Sequence, residues 1–83
     1  MTTQSQEEFI VNNMNIVKNI ASKYYTDKIG LDYEDLVSYG VMGLIDARKK
    51  FDESRGVKFS TYASIRVSSF IIDEIRKYSP VLI

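Results

Sequence analysis

The chain has 83 residues, with 11 Lys and Arg against 11 Asp and Glu, no His, no Cys, no Trp and one Pro. That length holds one small domain, residues 1–83, and without Cys there is neither a disulfide framework nor a thiolate zinc site. Without His there is no imidazole base for a Ser or Cys nucleophile and no imidazole metal ligand, so the composition argues against an enzyme and implies no cofactor.

The balanced charge also excludes coating of nucleic acid by bulk electrostatics, because that mode needs an excess of Lys and Arg. Any DNA contact must be local. No apolar run approaches the ~18 residues of a membrane span, and residues 1–5 have neither the basic nor the apolar part of a signal peptide. A cytoplasmic protein that makes no use of a membrane is the expectation.

Between Glu7 and Tyr25, the apolar residues Phe9, Ile10, Ile16, Val17, Ile20, Ala21 and Tyr24 recur at three- and four-residue spacing, which predicts a first amphipathic helix. Residues 26–32 contain Gly30 and break the pattern. Asp32, with Glu34 and Asp35 following, can cap a second helix over Tyr33 to Phe51, where three carboxylates suit the positive end of the helix dipole. Residues 52–58 have no periodicity and read as a loop around Gly56. Ser60 or Thr61 can cap a third helix that runs to Tyr78 and is ended by Ser79-Pro80. The expected fold is all-α, a small three-helix bundle. Pro80-Val81-Leu82-Ile83 is an apolar tail with nothing behind it, as in a chain cut from something longer; alternatively it packs on the bundle.

On a helical wheel, Leu36, Val37, Gly40, Gly43, Leu44, Ala47 and Phe51 share the inner arc of the second helix. Gly destabilises a helix interior, so the stripe Gly40, Gly43, Ala47 implies a close helix crossing. Val41, Met42 and Ile45 fall on the other side. That second apolar face fits either a helix buried on both sides or a docking surface for another protein, and so short a chain has few elements to bury it. In the third helix Ala63, Val67, Phe70, Ile71 and Ile75 point inward. Tyr62, Arg66, Ser69 and Asp73 step down the outside, preceded by Arg55, Lys58 and Phe59. An aromatic beside guanidinium groups can stack an unpaired base, although Tyr62 could also cover the core and Arg66 with Asp73 could form a solvated face.

The residues Asp35-Leu36, Gly40, Gly43-Leu44, Ala47, Phe51-Asp52, Arg55-Gly56 and Lys58-Phe59-Ser60-Thr61-Tyr62-Ala63 form one ungapped pattern. It resembles the second region of bacterial sigma factors of the sigma-70 family, over about Glu34 to Lys77 and more weakly back toward Glu7. The ending Ile65-Arg66-Val67 with Ile71-Ile-Asp-Glu-Ile-Arg76 is similar to the motility and sporulation branches. The resemblance implies a transcription initiation factor, not an enzyme, whose partners are core RNA polymerase and promoter DNA. It assigns docking on the polymerase β′ coiled coil to Asp35, Ser38, Tyr39, Val41, Met42 and Ile45. It assigns the non-template single strand of the minus-ten element to Phe51, Arg55, Lys58, Phe59, Thr61, Tyr62, Ile65 and Arg66, with Tyr62 where a flipped adenine stacks. Housekeeping members carry tryptophans at the positions of Ile65 and Arg66 and an aromatic at that of Val57. They commonly have glutamine at that of Ser38, while Tyr39 stands where the family has an acidic or another aromatic residue. The alternative is an interaction module whose partner is an anti-sigma factor covering the second-helix face, with no working DNA surface. A metal-dependent hydrolase built on Asp32, Glu34 and Asp35 is the weakest reading, because those carboxylates already stabilise a helix start.

Overall fold

The structure, a computed structural model, describes residues 5–28 and 30–78. The apolar tail at 80–83 lies outside them. Four helices follow in order: α1 Gln6–Asn12, α2 Met14–Tyr24, α3 Tyr33–Lys50 and α4 Phe59–Tyr78, with a 3-10 turn at Glu53–Arg55 between the last two. The described residues are helices and connections only, as the all-α expectation requires.

The first predicted helix is two helices, because Asn13 interrupts it. The Asn13 side-chain amide and backbone N–H both donate to the Phe9 carbonyl, at 2.9 and 3.2 Å, and the Asn13 backbone leaves the helical region at φ −115°, ψ 11°. Phe9 on α1 packs edge-on against Phe59, while Val17, Ile20 and Ala21 of α2 are buried in the core. At the start of α1, Ser5 and Glu8 form a reciprocal cap, the Glu8 N–H donating to Ser5 Oγ at 3.1 Å. At α3 the Asp32 N–H donates to the Asp35 carboxylate at 3.0 Å. The fourth helix starts at Phe59, ahead of the expected caps Ser60 and Thr61, and the Tyr62 N–H closes the first turn on the Lys58 carbonyl at 3.1 Å. Its early start serves the core. Phe59 sits edge-on between Phe9 and Phe51, with ring centroids 5.5 and 5.2 Å away.

The core consists of Phe9, Val17, Ile20, Ala21, Leu31, Leu36, Leu44, Ala47, Ala63, Val67 and Ile71. Leu31, in the loop before α3, is a member that periodicity alone did not single out. The close crossing implied by the glycine stripe is present between α3 and α4. A Cβ built on Gly43 would lie 2.8 Å from Val67 Cα and 2.9 Å from the Arg66 carbonyl oxygen, so backbone meets backbone there. The molecule is a flat body of 48 × 24 × 16 Å.

Candidate nucleic-acid interface and docking face

The turn between α3 and α4 shapes an open cleft. Asp52 begins it by accepting from the Ser54 N–H at 3.0 Å and the Ser54 hydroxyl at 2.6 Å, two bonds that hold its carboxyl below the ordinary range. Gly56, at φ +74°, then reverses the chain in the left-handed region that glycine adopts without strain. The result is a cavity of about 340 Å³ lined by Lys50, Phe51, Asp52, Arg55, Val57 and Tyr62. Of the residues expected to handle a strand, Phe51, Arg55 and Tyr62 are brought together here. The Phe51 and Tyr62 rings are 6.0 Å apart and tilted by 42°, and both are half-buried. Tyr62 packs partly on the core, the covering position weighed for it, and its ring also lines the cleft. The Arg55 side chain is 81% exposed and only loosely paired with Asp52 at 3.8 Å.

The other expected strand residues lie around this cleft. Phe59 stands behind Phe51 as support. Lys58 and Thr61 are exposed, and Ile65 is 58% exposed on α4. Arg66 is half-buried, and its partner is not Asp73 but Asp46 of α3: Arg66 Nε donates to Asp46 Oδ2 at 2.8 Å. Asp46 Oδ1 takes Lys50 Nζ at 3.1 Å. Burial pushes the Asp46 carboxyl up, but the hydrogen bonds from Lys50 and Arg66 outweigh that and hold it below its ordinary value.

The face expected to dock a partner is less uniform than the wheel implies. Met42 is 53% exposed and Ile45 half-buried, but Val41 packs against the core, a correction to its placement on an outer face. Helix α3 packs against both α2 and α4, and its buried arc reaches Val41. Ser38 and Asp35 are exposed, with Asp35 engaged in the helix cap. Tyr39 is half-buried, and the negative charge of Glu74 on α4, together with burial, raises its phenol pKa above the ordinary value. Lys77 closes that corner on Glu74 at 3.3 Å.

Sequence reasoning missed Lys50, Asp46 and Asp52. Each had a local signal: Asp46 and Lys50 are four apart in a helix, and Asp52-Glu53-Ser54 has the spacing of an Asx turn. The pairing of Asp46 with Arg66, twenty residues on, had none.

The family model for Sigma-70 region 2 matches residues 9–80. Among known proteins, the chain is 39% identical over 74 residues to the RNA polymerase sigma factor FliA of Pseudomonas aeruginosa, covering 88% of this chain and 30% of that protein. It is 57% identical over 44 residues to the RNA polymerase sigma-D factor of Bacillus subtilis, covering 53% and 17%. To the RNA polymerase sigma factor SigA of Microcystis aeruginosa it is 43% identical over 61 residues, covering 74% and 14%. The chain thus spans less than a third of the length of each of these relatives. With its helices, its glycine crossing and its cleft in register with that match, the chain belongs to the Sigma-70 region 2 family.

Proposed function

We propose that this chain works in transcription initiation, docking on the β′ coiled coil of core RNA polymerase and capturing the melted non-template strand of the minus-ten promoter element. The observation that carries this reading is the cleft itself. Phe51 at the end of α3, Arg55 in the turn and Tyr62 on α4 converge on one opening of about 340 Å³, the size of a small ligand pocket. Unstacking a base costs a few kcal/mol, and an aromatic platform returns ~1 to 3 kcal/mol per base. Arg55 and Lys50, both highly exposed, are placed to neutralise phosphate at the rim. Strand capture, with no cofactor and no ATP, offsets the opening. Docking uses Met42 and Ile45 with Ser38 and Asp35 at the edge, and Tyr39 and Val41 contribute from beneath.

The test is titration of a labelled single strand bearing the minus-ten sequence against the chain and Tyr62→Ala, with the β′ coiled coil present. The expected result is about a tenfold loss of affinity for the variant, the worth of one stacked base. Equal binding leaves the other reading, an interaction module covered by an anti-sigma factor at the Met42 face.

A further inference from the structure

One stripe of α3 carries Met42, Asp46 and Lys50 at four-residue spacing, so it passes from the exposed apolar face through an ion-pair cluster to the wall of the cleft. At its centre Asp46 divides its two oxygens between cations from different parts of the chain, Oδ1 to Lys50 Nζ at 3.1 Å and Oδ2 to Arg66 Nε at 2.8 Å. The Asp46 side chain is 18% exposed and that of Arg66 31%, so this pair is less washed by solvent than the loose Arg55–Asp52 contact. The Arg66 guanidinium also lies over the Phe70 ring, 5.6 Å from its centroid. It is therefore held twice, at Nε by the carboxylate and on its face by an aromatic ring. What remains is the edge bearing the two terminal amino groups, which no hydrogen bond among the described residues engages. That edge matches two oxygens of a phosphate. Tyr62 stands one turn away on the same helix, at the cleft.

We infer that Asp46 is a positioning residue, fixing Arg66 on α4 so that its outer edge receives a backbone phosphate of the single strand whose base enters the cleft. The inference rests on reading the cleft as a strand site. Its physical content is preorganisation: a free arginine must be ordered when phosphate arrives, whereas Arg66 is ordered beforehand. Asp46 itself is anionic and repels the strand. Its charge and its positioning role therefore predict opposite outcomes when it is removed.

The experiment measures binding of a fluorescent minus-ten single strand to the whole chain with the β′ coiled coil, over a series of salt concentrations. Asp46→Ala makes the protein more positive by one charge, yet is expected to bind roughly five- to tenfold more weakly, as for loss of a charge-assisted hydrogen bond. The slope of log K against log salt should fall by about 0.7, one single-strand phosphate contact. Asp46→Glu, which keeps a carboxylate, should restore most of the affinity, and Asp46→Ala should add no further loss to Arg66→Ala. Arg66→Lys keeps the charge but lacks Nε, and it should mimic Asp46→Ala; it decides the matter if circular dichroism shows Asp46→Ala to be unfolded. Binding by Asp46→Ala equal to or tighter than the original chain, with Tyr62→Ala still weak, overturns the positioning role and leaves the cleft reading standing. No strand binding by the unaltered chain brings both down.

Discussion

Gly43 shows how much a missing side chain can determine. Its stripe with Gly40 and Ala47 is visible in the sequence, and the reason for it is visible in the fold: at Gly43 the neighbours within reach of a Cβ are the Val67 and Arg66 backbone, while at Gly40 they are the side chains of Val17, Ile71 and Val67. Side chains can shift and backbone cannot without moving a helix. Gly43→Ala should therefore lower stability by about 1 to 3 kcal/mol despite the better helix propensity of alanine, through overpacking at the crossing. Thermal unfolding followed by circular dichroism measures it; a melting temperature at or above the original would mean that the helices part easily. Residue-level chemistry was otherwise unevenly legible. Phe51, Arg55 and Tyr62 are readable because family pattern and residue type agree, whereas Asp46 carries no mark in the sequence of the Arg66 it meets across the bundle.

The elements themselves were readable to within a residue or two wherever one local signal dominated. Helix α3 begins after Asp32 as its capping residues demand, and it ends at Lys50. The differences arose where a single residue departs from the pattern: Asn13 leaves the helical backbone region and parts the first helix, and Phe59 begins α4 early, its ring set between two others. Helices α3 and α4 are joined by more than apolar packing, since Asp46 accepts from Arg66 across the gap. Because the folded Asp46 carboxyl titrates below its ordinary value of 3.8, the stability it adds is fully present above that value. It is lost as pH falls through the folded value. The difference in thermal stability between the chain and Asp46→Asn should accordingly stay constant from neutrality down to about pH 5 and shrink at more acid pH. A gap that widens on acidification would contradict the arrangement.

At the scale of the whole molecule, the second apolar side expected of α3 is reduced to Met42. Val41 belongs partly to the core, Ile45 is half-buried, and Met42 at 53% exposure is the residue standing clear. A charge at Met42 thus tests docking without touching packing. Met42→Asp should leave stability within about 0.5 kcal/mol, as surface changes usually do, while abolishing retention by an immobilised β′ coiled coil. Val41→Asp would lose both and distinguish nothing. Retention of Met42→Asp at the original level would remove this face from consideration.

The contact of α3 with α4 at Gly43 has a mechanical corollary. At that one point the two backbones meet with no side chain between them, so movement of one helix there must carry the other with it. In a body only 16 Å through its thinnest dimension, Met42 stands next to that contact on α3, and Tyr62 lies about one turn from it on α4. A partner docked on α3, as proposed above, would in effect be aiming α4.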